Sequence, residues 1–462
     1  MSNRSEGLGE RPPRELEVMM RWRALRALGV IVVLFSLVTC TPPLLQPAAA
    51  QVTGEIIGPG ATSYPIAIPP LQEVGGRKDD TAVRFADILS HDLQLSGYFQ
   101  VLDRRGYIDD PQTSPTTGDQ IEFHNWSVIG ARALVKGTLE RTADDIVVEV
   151  RLFDVPGRKQ LAGKRYSGRA KEFSRIAQRF ADEVLLVFTG IRGPFDSRIV
   201  FVSTRAGGMK ELYFVTFDGL APTRLTGDRS IIASPAWSKD ARKVLFTSYR
   251  RGRPGLYELD VVERHPRYVA EAGPLYAGGA WSPDGSLIAV TAEMGGNPEI
   301  VLLHPDGRTA RWLTKHPAID VSPTWSPDGR EIAFCSDRAG GPQIFVARVA
   351  TGAVRRITYS GSYNTSPAWS PVGEEIAYTR RVNGRFQIFT VDARGENGAT
   401  ITNDPGDNED PAWSPDGRYL VFASTRAGRP HLFMVDRRGR IRKQLTHGEG
   451  SDSSADWSRR LE

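Results

Sequence analysis

From about residue 198 onward, apolar and polar positions follow one cycle that repeats every 44 residues. Each cycle holds a short segment ending in Trp-Ser, a turn, and a half-buried strand such as Glu331-Ile332-Ala333-Phe334 or Tyr419-Leu420-Val421-Phe422. A Gly-rich connection leads to a third strand, such as Gln343-Ile344-Phe345-Val346 or Gln387-Ile388-Phe389-Thr390-Val391. A basic-apolar strand ending in Leu-Thr or Ile-Thr completes the unit. Trp237, Trp281, Trp325, Trp369, Trp413 and Trp457 mark one series at this interval, and Leu225, Val269, Leu313, Ile357, Ile401 and Leu445 a second. The period matches a four-stranded propeller blade. Ser-Pro-Asp-Gly at 282–285, 326–329 and 414–417 reads as a hairpin turn, with Pro presetting φ and Gly left-handed at the end. Ala241 stands where other units carry Gly, and Val372 where they carry Asp, so these two turns are expected to be the least regular.

A 44-residue sheet cannot bury both of its faces alone, so neighbouring blades must stack on it, with the tryptophans filling the seams. The ends of the array say how it closes. Arg198-Ile199-Val200-Phe201-Val202-Ser203 matches a second strand with no Trp-Ser segment before it, while Ala455-Asp456-Trp457-Ser458 is a first strand with no second. Pairing these orphans leaves no open edge. The expected fold is therefore mainly β: a six-bladed β-propeller over 194–462, closed by the last strand, with a smaller N-terminal α/β domain over 51–193.

In that first domain, Pro65 to Pro69 reads as a short strand. Asp79-Asp80 can cap a helix from Thr81 to about Ser96, with Val83, Ala86, Leu89 and Leu93 on one face. Strands are expected at Phe99–Leu102, Ala133–Leu139 and Ile146–Phe153. Further helices are expected at 122–129 and from Lys171 to about Phe188. Gly190 to Pro194 reads as a hinge.

Residues 1–50 read as a secretory signal peptide. Arg21, Arg23 and Arg26 precede an uncharged apolar run, and Ala48-Ala49-Ala50 offers a small-residue cleavage site. An uncleaved anchor is the alternative, and a lipoprotein site at Cys40 fits poorly because Thr39 precedes it. The start could be Met1, Met19 or Met20. No other apolar run is comparably long, so no membrane span is expected in the mature chain. Cys335 then has no partner and should pack as a small apolar side chain.

Composition narrows the function only a little. The 462 residues, 40% hydrophobic and 24% charged, exclude collagen-like, coiled-coil and wholly disordered chains. A net charge of +5 is weak support for a nucleic-acid partner, and none is expected. No Walker A loop, G-x-S-x-G elbow, H-E-x-x-H pair or C-x-x-C occurs, and the seven histidines recur at no fixed blade position. Asp284, Asp328 and Asp416 are explained by their turns. Arg205, Arg250, Arg338 and Arg426 are expected to pair with carboxylates or carbonyls at blade edges. Asp407, Asn408, Glu409 and Asp410 form the densest acidic cluster, in a loop entering a blade. No catalytic residue, metal ligand or cofactor is assigned.

Together these features resemble the TolB family, the periplasmic propeller proteins of the Tol-Pal system. The N-terminal half sharpens the likeness: Tyr64-Pro65-Ile66-Ala67-Ile68-Pro69, Leu95-Ser96-Gly97-Tyr98-Phe99, Leu134-Val135-Lys136-Gly137 and Thr189-Gly190-Ile191-Arg192-Gly193 are similar to the family's segments. The resemblance implies a monomeric, non-enzymatic adaptor in the periplasm. It would link the inner-membrane TolA complex to the peptidoglycan-associated lipoprotein Pal, with other outer-membrane lipoproteins as further partners. Its role would be outer-membrane invagination at division and outer-membrane integrity. The strand of Gln51, Val52, Thr53, Gly54, Glu55, Ile56 and Ile57 would dock onto TolA. Pal would sit at the propeller mouth on Leu275, Tyr276, Gly278, Val321, Ser322, Tyr363, Asn364, Thr365, Asn408, Glu409 and Asp410. The alternatives are a propeller-type hydrolase or lyase, or a carbohydrate-binding periplasmic propeller.

Overall fold

The N-terminal half folds as one sheet with helices on both faces. The computed structural model describes residues 63–461 except 77–78, 221, 271–275, 374 and 441. The leader and the expected strand from Gln51 to Ile57 lie outside them. In chain order the elements are β1 (Tyr64–Ala67), β2 (Gln72–Glu73), α1 (Thr81–Leu95), β3 (Phe99–Val101), α2 (Phe123–Val128), β4 (Ala133–Arg141), β5 (Asp145–Asp154), β6 (Lys159–Arg169) and α3 (Phe173–Thr189). The strand order is β3-β1-β4-β5-β6, with β2 also on β4. β1 runs parallel to β3 and β4, whereas β4, β5 and β6 form an antiparallel meander.

Alternation along β4 separates two cores. Ala133 and Val135 face α1 and α3, whereas Leu134 packs with Phe123, Trp126 and Phe153 on the α2 side. The buried stripe of α1 is Ala82, Phe85, Ala86, Leu89 and Leu93. Val83, expected on that face, is 44% exposed because it sits one position out of the stripe's register. The Asp79 carboxylate, rather than Asp80, accepts the Thr81 N–H at 2.8 Å.

α3 ends at left-handed Gly190 (φ 73°), and the chain then enters the propeller. The expected hinge is instead a pinned junction. Asp182 accepts the N–H groups of Phe195 (2.9 Å) and Asp196 (3.2 Å), and Arg175 joins Asp196 to the Leu461 carbonyl. Packing crosses the junction too, since α1 and α3 share one apolar cluster with Phe217, Tyr419, Leu445 and Trp457. The Tyr419 hydroxyl donates to the Ser96 carbonyl at 2.9 Å, and the Arg418 guanidinium lies over the Tyr98 ring.

The propeller has six four-stranded sheets among the described residues. Blades 1 to 5 begin with Ile232–Trp237, Tyr276–Trp281, Asp320–Trp325, Asn364–Trp369 and Asn408–Trp413. Blade 6 is composite: Asp452–Trp457 pairs antiparallel with Arg198–Ser203, setting Asp452 against Ser203 and Trp457 against Ile199. The two orphan strands thus close the ring. Trp237, Trp325, Trp369, Trp413 and Trp457 are buried, and the indole N–H groups of Trp325 and Trp413 donate to the Ala280 and Ala368 carbonyls of the preceding blade.

The turns follow their sequence. In the regular ones the Asp carboxylate accepts both the Ser hydroxyl and an N–H two residues on, as Asp284 and Asp328 do. Those bonds hold the Asp284 carboxyl down at about 2. Ala241 preserves the turn hydrogen bond, Ala241 N–H to Ser238 carbonyl at 3.0 Å, but adopts φ 54° to do so. The Val372 turn is the irregular one, because Gly373 does not take the left-handed conformation of Gly285, Gly329 and Gly417.

Trp457→Ala should lower unfolding stability by about 3–5 kcal/mol, read from a urea transition, because it empties the seam of the closing blade. The junction adds a pH dependence. Burial pushes the Asp182 carboxyl up to about 8, against the pull of its two N–H donors. Its folded value exceeds the unfolded one of roughly 4, so its contribution is fully present below pH ~4 and declines until pH passes through about 8. Asp182→Asn should abolish that part of the decline in urea midpoint.

Candidate functional site

The starts of the six first strands surround one end of the central channel. In each blade the first strand is the sheet's edge, so its missing donors are tolerated where Pro235, Pro323, Pro367 and Pro411 stand. Each first strand also carries one extra residue relative to its partner, a β-bulge. The bulge places Ser234, Gly278, Ser322, Ser366, Asp410 and Ser454 in the left-handed region, φ 49° to 63°. These six residues, 44 apart in sequence, ring a space of about 180 Å³. Gly278, Ser322 and Asp410 of the expected mouth therefore share one structural position.

Just outside this ring the chain is fixed by its own backbone. The carbonyls of Ile231, Ile319, Tyr363, Asp407 and Ser451 each accept an N–H from the end of the second strand of their blade or the first residue after it, at 3.0–3.4 Å. With the main chain held, several side chains point out: Ile231 is 53% exposed, Ile319 44% and Tyr363 37%. The Tyr363 ring lies 5.8 Å from Phe386. Ile231 and Ile319 were not among the expected mouth residues, yet they hold the register of Leu275 and Tyr363 in the 44-residue series. Leu275 lies outside the described residues, and Tyr276 opens the first strand of blade 2.

The acidic arc is on blade 5. Asp410 accepts the Ser366 hydroxyl at 2.8 Å, and Asp407 accepts the Phe386 N–H at 2.9 Å. Glu409 is half-buried, and burial together with Asp410 and Asp407 raises its carboxyl above the usual range. Val321 and Thr365 are half-buried.

Two expected mouth residues are misplaced. Asn364 and Asn408 are fully buried and cannot present side chains to a partner. Asn408 donates to Gln387 and to the Gly406 carbonyl while accepting from Arg426 at 2.8 Å; Asn364 donates to Gln343 and accepts from Arg380 at 2.9 Å. They are the acceptors in a repeated arginine clamp. Arg205 binds Asp452 at 2.7 Å, Arg338 binds Asp320 at 2.6 Å, and Arg250 binds Asp228. The guanidiniums also lie over rings, Arg205 over Phe201 and Tyr213, Arg380 over Tyr378 and Phe389, Arg426 over Phe422 and Phe433. The recurring arginines are thus structural, and Arg380 is a member that the spacing alone hid.

Cys335 is buried, its thiol against the Asn364 carbonyl, and burial pushes it up to about 11. No group of three or more His, Cys, Asp or Glu that could hold a metal occurs among the described residues.

The family profile described as the TolB beta propeller domain matches residues 186–461, and that of the TolB amino-terminal domain matches 52–161. The chain belongs to the TolB family. A Tol-Pal system protein TolB from Desulfosudis oleivorans is 36% identical over 240 residues, covering 52% of this chain and 54% of the relative. One from Syntrophotalea carbinolica is 39% identical over 202 residues, covering 44% and 47%. The chain spans about half the length of the curated relatives it matches. The solved structure of TolB from Acinetobacter baumannii has a TM-score of 0.75 at 27% identity, covering 88% of this chain and 99% of that one.

The two classes of mouth residue should separate in the laboratory. Asn408→Ala leaves Arg426 and Gln387 short of a buried partner and should cost about 1–3 kcal/mol in urea unfolding. Ile319→Ala, at an exposed position, should stay within about 0.5 kcal/mol.

Proposed function

We propose that this TolB-family chain is a non-enzymatic periplasmic adaptor of the Tol-Pal system, joining inner-membrane TolA to the outer-membrane lipoprotein Pal. Its role would lie in outer-membrane invagination at division and in keeping that membrane intact. The observation that carries the reading is the channel rim, where loops fixed by backbone hydrogen bonds hold Ile231, Ile319 and Tyr363 out toward solvent beside Asp407 and Asp410. Exposed apolar side chains on a preformed frame bind a protein surface with little ordering cost. The chemistry there is recognition: the exposed groups are apolar or acidic, and the buried polar ones are already bonded to one another.

In this reading Pal rests on the rim through Leu275, Tyr276, Gly278, Val321, Ser322, Tyr363, Thr365, Glu409 and Asp410, with Ile231 and Ile319 added and Asn364 and Asn408 removed. TolA takes the segment Gln51 to Ile57 by strand addition, which uses main-chain hydrogen bonds and so places weak demands on side chains. Two separate surfaces permit one adaptor to hold both partners or to exchange them.

A double variant, Ile319→Asp with Tyr363→Ala, should abolish capture of purified Pal on immobilised protein while sparing TolA. Deleting 51–57 should do the converse. Equal loss of both partners in either variant would refute separate sites.

A further inference from the structure

The opposite face of the propeller, where the first strands end, carries a second feature that the adaptor role leaves unused. A cleft of about 1270 Å³ runs between blades 3 and 4, and another of about 690 Å³ runs between blade 5 and the N-terminal half. Both are lined by Val372, so they meet at that residue. Each is of the size of a small-molecule pocket of about 300–1,000 Å³ or larger, and with Val372 as their common wall they are the two arms of one groove.

Charge along this groove leans positive, although Arg437 is also paired from beyond the walls, with Glu375 at 3.0 Å. Its walls hold eight arginines against four carboxylates. Each carboxylate has a cationic neighbour in the same walls: Glu331 is gripped by Arg355 at 2.7 Å, Asp436 by Arg440 at 3.2 Å, Asp416 by Arg418 at 3.7 Å and Asp328 by Arg330 at 3.8 Å. Arg348 and Arg438 stand exposed on either side of the meeting point.

The repeat itself breaks at the same spot. Asp240, Asp284, Asp328 and Asp416 occupy the equivalent turn position in blades 1, 2, 3 and 5, and in blade 4 it is Val372, 59% exposed. The exchange removes a negative charge and the carboxylate that accepts the Ser hydroxyl in the regular turns, while the Ser370 N–H still donates to the Glu375 carbonyl at 2.8 Å and an apolar surface is added. Ile191, 51% exposed, lines the same groove from the N-terminal half. The loss of that acceptor at the residue lining both clefts points to binding rather than folding.

We propose that this groove binds an extended acidic peptide segment of a partner protein, seating its apolar side chains on Val372 and Ile191 and its carboxylates on the arginine walls. The mouth reading can fail without affecting this proposal, since the two surfaces lie at opposite ends of the first strands.

The test is fluorescence anisotropy of the full chain with a labelled twelve-residue peptide of alternating Glu and Leu. The expected result is saturable binding, with a Lys-Leu counterpart and a Glu-only peptide each weaker by about tenfold or more. Val372→Asp restores the Ser-Pro-Asp-Gly turn, so its melting temperature should hold or rise while peptide affinity falls about tenfold. Arg438→Glu should weaken binding in the same direction. Absence of binding, equal affinity for the Glu-only peptide, or an unchanged affinity in Val372→Asp would overturn the proposal. So would binding that appears only after residues 51–57 are deleted, which would make the groove a seat for the chain's own segment.

Discussion

Everything in the propeller depends on the fact that a four-stranded sheet has two apolar faces and too few residues to cover either. Each blade must borrow cover from its neighbours, and an open row of blades would leave two faces wet at its ends. Pairing Asp452–Trp457 with Arg198–Ser203 removes both ends at once, using strands about 250 residues apart in the chain. That pairing also anchors the N-terminal half. Trp457 lies in the same apolar cluster as α1 and α3, and the Leu461 carbonyl is held by Arg175 of α3. The closing strand is thus the common support of both halves, and the rigid channel rim follows from it.

Rigidity has a local cost at the rim. Five of the six bulge residues are not glycine, yet all lie at positive φ, a conformation that disfavours L-residues by roughly 1–2 kcal/mol each. The surroundings hold them there: the Ser322 and Asp410 N–H groups donate to Thr291 and Thr379 hydroxyls, and Asp410 accepts from Ser366 of the neighbouring blade. The same architecture explains the arginine clamp. An arginine after the second strand spans the gap to the start of the first, so the loop that enters each blade is tied down from the side. A propeller built this way can vary the exposed side chain at each entering loop without moving the frame.

The repeat made the fold legible because a fixed interval reports stacking without any knowledge of single contacts. Side-chain roles were less legible. Asn364 and Asn408 looked like surface groups because polar residues before a strand usually are; only their three-dimensional neighbours, Arg380 and Arg426, reveal buried acceptors. Ile231 and Ile319 are illegible for the opposite reason, since apolar residues beside a strand read as its continuation. β6 leaves little mark in the sequence because none of its side chains is fully buried, and beyond the main chain it is tied to β5 by the surface pairs Arg165–Glu149 and Arg169–Asp145. Arg380 precedes its expected position because the second and third strands of blade 4 run longer, Glu375–Val382 and Arg385–Asp392, than the six-residue strands of blade 3.

Departures from the repeat are informative in proportion to what they give up. Ala241 gives up conformational ease but keeps the hydrogen bonds of its turn, and it is buried, so its surroundings account for it. Val372 gives up the carboxylate acceptor of its turn and is left 59% exposed. A repeat fixed by mutual cover tolerates such a loss because each turn contributes little to the seams. The turn face is therefore free to diverge in a way that the seam tryptophans are not, and recognition can be placed there without endangering closure.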